Sequence, residues 1–141
     1  MPRKFNRMSD INHTQEEIIT EFSRFNDWTD RYKHLIAQGK DLPAMDDSHK
    51  TDDNIVKGCQ SRVWLHAELD EQKIKFTADS DAAIVRGLIA LLLRFYSNRT
   101  PDEILMTQPE FIKKIGMDQH LSMTRSNGLA SMVKQMKIYA M

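Results

Sequence analysis

The residue with the most chemistry to offer is Cys59, in the stretch Ile55-Val56-Lys57-Gly58-Cys59-Gln60-Ser61-Arg62-Val63-Trp64, and it is the only cysteine among 141 residues. A single thiol excludes an internal disulfide, a Cys-x-x-Cys redox pair, a four-cysteine zinc knot and an all-cysteine iron–sulfur site, each of which needs two or more sulfurs. Two readings stand: a lone nucleophile, or a small buried hydrophobe. Gly58 lets the backbone turn sharply just before the sulfur, and Gln60 and Ser61 bring hydrogen-bonding groups beside it. Lys57 and Arg62 flank the cysteine, and nearby cations favour the thiolate, the form that attacks. Val63 and Trp64 open a strand pattern, so the sulfur is expected on a turn leading into a sheet.

A cysteine nucleophile of the hydrolytic kind needs a base next to it in the fold, usually histidine. Of the five histidines, His13 and His49 fall in a terminus and a loop, and His34 is expected on the outer face of a helix. His66 lies between apolar neighbours in a strand, where a histidine is more often a hydrogen-bonded structural residue than a ligand or base. His120, in Gln119-His120-Leu121 between helices, is the better candidate base, although no third residue that would orient it is evident. A sulfur carrier requires less. Its thiolate attacks the outer sulfur of a donor persulfide and the donor cysteine leaves, in analogy with thiol–disulfide exchange, with no acid–base triad. The residues therefore leave open a carrier that docks on a partner and a stand-alone thiol enzyme using Cys59 with His120. A structural interaction protein, a third reading, would tolerate loss of the thiol.

The elements that must position Cys59 follow from periodicity and punctuation. Lys plus Arg and Asp plus Glu are both 20, so no basic field recommends nucleic acid or a membrane surface, and a protein partner fits better. Arg3, Lys4 and Arg7 precede no apolar run, so no secretory signal is expected, and the longest apolar run, Leu88 to Leu93, is far short of the ~20 residues a bilayer requires. The cytoplasm suits a lone reduced thiol. Residues 1–12 lack apolar periodicity and are expected to form a mobile segment before a single domain over 13–141. Thr14 and Glu17 have capping-box spacing ahead of Ile18, Ile19, Phe22 and Phe25. A second helix is expected from Asp27, with Trp28, Tyr32, Leu35 and Ile36 on one face and Gly39 as its stop. The loop from Asp41 to Asp53, five aspartates against Lys50, is a candidate partner contact because it immediately precedes the cysteine.

Beyond Cys59, Val63 to Leu69 and Lys73 to Ala78 read as two antiparallel strands, with Ile55 and Val56 as a short third. Asp79 or Ser80 is expected to cap a helix over Ala82 to Tyr96 that is apolar nearly all round and so forms the buried centre. Gly87 in its middle costs ~1 kcal/mol relative to alanine, which implies a close approach there. Thr100-Pro101-Asp102-Glu103 starts a short helix, Pro109 to Ile115 forms another closed by Gly116, and a last helix begins near Thr124. Helix and strand runs are segregated rather than alternating, which predicts an α+β domain: a small antiparallel sheet, N- and C-terminal helices, and one central helix.

Four blocks together resemble the SufE-type (SufE/CsdE-like) sulfur acceptors that partner cysteine desulfurases in iron–sulfur cluster assembly. They are Asn54-x-Val56-x-Gly58-Cys59-Gln60-Ser61-x-Val63-Trp64, Asp79-Ser80-Asp81-Ala82-Ala83-Ile84-Val85-x-Gly87-Leu88, Thr100-Pro101-x-x-Ile104, and Gln119-His120-Leu121 through Arg125-Ser126-x-Gly128-Leu129. They stand in family order over most of the chain, residues 1–12 excepted. The resemblance implies that Cys59 accepts sulfur from a pyridoxal-phosphate cysteine desulfurase, SufS-like or CsdA-like, raises its turnover, and passes the sulfur to a cluster scaffold or another acceptor. It implies no cofactor and no metal in this chain, and it makes Arg125, Asp81, Lys57 and Gln60 the candidate partner-binding residues; a homodimer is left open. The chain departs from the family at Met123-Thr124, where members commonly carry Pro-Ser, so Thr124 is expected to cap the last helix.

Overall fold

The computed structural model describes residues 6–141, with side chains from Asp10 onward. In chain order these form α1 (Asn6–Ser23), α2 (Trp28–Lys40), two 3-10 turns in the acidic loop, β1 (Val63–Asp70), β2 (Lys73–Ser80), α3 (Ala83–Tyr96), α4 (Pro101–Met106), α5 (Phe111–Lys114), α6 (Met117–His120) and α7 (Met123–Tyr139). The expected α+β architecture is present, with α3 at its centre. Ile84, Leu88, Ile89, Leu91, Leu92, Phe95 and Tyr96 are all buried, because α3 takes the hairpin, α1, α2 and α7 on different sides.

Helix α1 begins earlier than its sequence suggests. Residues 6–12, expected to form a mobile segment, make its first turns, while residues 1–5 of that segment lie outside the described residues. Ile11, Gln15, Ile18 and Phe22 share the buried face. Gln15 breaks the apolar pattern, yet its Oε1 accepts the Phe111 backbone N–H at 2.8 Å. Thr14 is an interior residue, not a cap; its Oγ1 accepts from Arg99 at 2.8 Å.

Asp27 caps α2 by accepting the Asp30 N–H at 2.9 Å. The helix runs through Gly39 instead of stopping there, because Gly39 serves a crossing. A Cβ at Gly39 would lie 2.6 Å from the Gly87 nitrogen, and one at Gly87 would lie 2.4 Å from the Leu35 carbonyl oxygen. The pair lets α2 and α3 pass backbone against backbone.

The two strands pair antiparallel from Val63 opposite Ser80 to Asp70 opposite Lys73. Val63, Leu65, Ile74, Phe76 and Ala78 face the core. The third strand reduces to one bridge, Ile55 opposite Trp64. Asp79 and Ser80 end β2 and do not cap α3 as expected: Ala82 occupies the cap position, Asp79 pairs with Lys50 at 3.0 Å and Arg86 at 3.3 Å, and the Ser80 hydroxyl donates to the Arg62 carbonyl at 2.6 Å.

The expected start of α4 is present: Thr100 caps it and forms a capping box with Glu103. Gly116, at φ 87°, separates α5 from α6. Ser122, two residues ahead of Thr124, caps α7 by accepting the Arg125 N–H at 3.2 Å.

Candidate functional site

The turn that carries Cys59 is tied at its base. The Val56 N–H donates to the Val63 carbonyl at 2.8 Å, beside the Ile55–Trp64 bridge, and residues 57–62 protrude from that tie toward α7. Gly58 has φ 94°, and a Cβ there would lie 2.5 Å from the Ser131 hydroxyl, so its small size serves both the left-handed backbone and the contact with α7. The next residue lays its sulfur on α7 at Gly128: Cys59 Sγ donates to the Gly128 carbonyl at 3.5 Å. Gly128 has no side chain in the way, since a Cβ there would be 3.4 Å from the sulfur.

Cys59 is half-buried above a cavity of about 280 Å³. Val85 and Leu88 of α3 and Leu129 and Met132 of α7 line its apolar part; Gln60, Ser61, Ser122, Thr124 and Arg125 supply the polar lining. The cavity has room for a sulfur atom beside the thiol. Burial pushes the Cys59 thiol above its ordinary range. Lys57 and Arg62 were expected to do the opposite. Both side chains are exposed and absent from the cavity lining, so water screens them and desolvation of the thiolate wins.

The structure gathers Cys59, Gln60 and Arg125 at one cavity. Arg125 is exposed in the first turn of α7, and its guanidinium has no ion pair among the described residues. Lys57 lines a separate depression with Asp53 and Tyr139, and Asp81 stands exposed in the turn between β2 and α3; neither lines the thiol cavity. His120 does not serve Cys59. Its ring stacks on Trp28 with centroids 4.5 Å apart and planes within 8°, and it is absent from the cavity lining, so the pairing of Cys59 with His120 fails on geometry. His66 contacts Glu68 at 3.1 Å and stacks on His49 at 3.7 Å.

Sequence reading missed Ser122, Ser131, Met132 and Gly128 as parts of this site. Gly128 carried a usable signal, since a glycine inside a helix gives up about 1 kcal/mol relative to alanine and so marks a close approach. A larger groove of about 710 Å³ lies beyond Leu129, lined by Ile112, Leu121, Val133 and Ile138 among others; Cys59 is not part of it.

The sequence matches the family profile described as SufE, Fe–S metabolism associated domain, over residues 16–140. A SufE-like protein of Rhizobium meliloti strain 1021 is 40% identical over 127 residues, covering 86% of this chain and 91% of that protein. A SufE-like protein of Rhizobium etli is 43% identical over 127 residues, with 86% of each chain covered. The chloroplastic/mitochondrial SufE-like protein 1 of Arabidopsis thaliana is 39% identical over 123 residues, which span 86% of this chain and 33% of that longer protein. The solution structure of a hypothetical protein from Thermus thermophilus superposes with a TM-score of 0.75 at 17% identity, over 90% of this chain and 93% of the other, so the fold is shared. With the sulfur-bearing turn, the central helix and the last helix all inside the matched span, the chain belongs to the SufE family of proteins associated with iron–sulfur metabolism.

Proposed function

We propose that this protein accepts sulfur on Cys59 from the persulfide of a pyridoxal-phosphate cysteine desulfurase, SufS-like or CsdA-like, stimulates that enzyme, and hands the sulfur on to a cluster scaffold or another acceptor. The observation that carries the reading is the seating of the only cysteine on a glycine-hinged turn over a partly apolar cavity with no histidine in its lining. The transfer balances without an added redox agent. The Cys59 thiolate attacks the terminal sulfur of the donor persulfide, a new S–S bond forms at Cys59 as the donor's S–S bond breaks, and the donor cysteine leaves as thiolate and takes up a proton.

At rest, burial holds the thiol protonated against the Gly128 carbonyl. Attack then requires the turn to lift, which costs one weak sulfur hydrogen bond and the Gly58–Ser131 contact while the tie at Val56 and Val63 stays closed. Arg125 and Gln60, exposed beside the turn, are positioned to meet the partner, Arg125 through its planar fork on a carboxylate or carbonyl. Lys57 and Asp81 are exposed and belong to a wider docking surface in this reading. No helix among the described residues is long and apolar enough to cross a membrane. This reading calls for a compartment that keeps a lone thiol reduced, and the cytoplasm is the one we propose.

Incubation with a desulfurase and cysteine, followed by mass spectrometry, is expected to add one sulfur to the native chain and none to Cys59→Ser, whose hydroxyl is far less ionised. The variant should keep its fold and lose the stimulation of the desulfurase. Full stimulation by Cys59→Ser would sink the carrier reading.

A further inference from the structure

His49 and His66 meet where the acidic loop crosses the outer face of the hairpin. Strand β1 turns Val63 and Leu65 inward and Trp64, His66 and Glu68 to the other side. On that side Lys50 Nζ lies 5.7 Å from the centre of the Trp64 ring, and the His49 ring lies on His66 with centroids 3.7 Å apart and planes within 12°. Glu68 Oε1 is 3.1 Å from His66 Nε2. One donor atom from each of His49, His66 and Glu68 fits within 4.8 Å of the others. The turn presenting His49 is fixed from two directions: Asn54 Nδ2 donates to the His49 carbonyl at 2.8 Å, and the Asp46 carboxylate accepts the Ser48 N–H at 3.0 Å.

We propose that His49, His66 and Glu68 form a binding site for a divalent transition-metal ion of the zinc class. Two neutral imidazoles and one carboxylate suit zinc, cobalt or nickel, whereas calcium and magnesium require more oxygen donors. Three protein ligands leave the fourth tetrahedral position to water or a ligand from outside. Bonds of about 2.0–2.1 Å put tetrahedral donors roughly 3.3 Å apart, so the widest separation, within 4.8 Å, closes by up to about 1.5 Å on binding, while His66 and Glu68 at 3.1 Å already stand at that spacing. Turning the rings out of their face-to-face stack brings the nitrogen lone pairs round to a common point, and the exposed Glu68 swings with them. The loop that carries His49 is acidic, with Asp46, Asp47, Asp52 and Asp53; its lysine, Lys50, is engaged by Asp79 at 3.0 Å, and Lys75 stands opposite Glu68 in the hairpin. A bound ion would join His49, ahead of Val56 in the loop, to His66, beyond Val63 in β1, and so bracket the tie that holds the Cys59 turn.

The test uses the full chain in a Cys59→Ser background, so that the thiol cannot supply a ligand. Zinc chloride is titrated by calorimetry, and cobalt chloride by the visible absorption that reports tetrahedral coordination. One ion per chain is expected, with affinity falling at least about tenfold in His49→Ala and in His66→Ala and unchanged in His120→Ala. Circular dichroism accompanies each titration. His66→Phe, which keeps a ring over His49, stands in should His66→Ala fail to fold, and it too should lose the ion. Equal zinc affinity in all variants, or no saturable binding at micromolar zinc, would overturn the site and leave the His49–His66 stack as a packing contact.

Discussion

Cys59 Sγ donates to the Gly128 carbonyl, and the cations that flank it in sequence, Lys57 and Arg62, are exposed to solvent. Burial disfavours the thiolate, so alkylation by iodoacetamide is expected to reach half its maximal rate at a pH above the ordinary thiol value of about 8.5. The sign of the linked stability follows. The folded state prefers the neutral thiol, so this contribution is complete below the ordinary thiol value and is lost as pH rises through the raised one. A half-maximal rate below 8.5 would mean that Lys57 and Arg62 reach the sulfur after all. Arg125, without an ion pair among the described residues, is expected to act across an interface. Arg125→Ala should weaken desulfurase binding by roughly 1–3 kcal/mol and leave thermal unfolding unchanged. Calorimetric titration and a melting curve on one sample separate the two effects; intact affinity with a lower melting temperature would assign Arg125 to the fold.

Among the elements, the α2–α3 crossing makes the sharpest demand on single atoms. Gly87→Ala would place a methyl 2.4 Å from the Leu35 carbonyl oxygen, and the backbone there cannot swing aside as a side chain could. The expected loss is about 1–3 kcal/mol, as for an overpacked core, despite alanine's better helix propensity. Chemical denaturation measures it. Gly87 was legible as a close approach because a glycine inside an apolar helix contradicts local propensity. Gly39 misled because a glycine near a helix end looks the same whether it stops the helix or packs against another. The hairpin, α3 and the α4 capping box were readable from signals within a few residues. The start of α1 was not, because Gln15 and Thr14 owe their places to Phe111 and Arg99, far along the chain. Asp79 resembled a helix cap, but Lys50 and Arg86 claim its carboxylate. The thiol itself was evident in sequence; the cavity was not, because Gly58, Cys59, Ser131 and Gly128 come together only across about seventy residues.

At the scale of the molecule, one polar cluster joins α1, α2 and α3 around the core. Glu21 on α1 meets His34 on α2 at 2.8 Å and Arg94 on α3 at 3.0 Å, and Arg94 also reaches Gln38 at 3.1 Å. Burial alone would raise the Glu21 pKa, but the bonds from His34 and Arg94 together outweigh it and hold the carboxyl below its ordinary range. Its stabilising contribution is therefore present above the ordinary glutamate value of about 4.3 and is lost as pH falls through the lowered one. Melting temperature should decline with acid over that interval, and Glu21→Gln should flatten the decline; an unchanged slope would place the acid sensitivity elsewhere. The tie at the base of the Cys59 turn sets a limit of another kind. Cys59 is the third residue beyond Val56, whose N–H is fixed to Val63, so even a fully extended strand lets its backbone travel only about 10 Å from that anchor. This is a short tether rather than a swinging arm. Under the proposed transfer, a sulfur donor would have to bring its own persulfide to the surface of the hairpin, and the depth at which that partner buries its reactive cysteine would decide whether it can serve this chain.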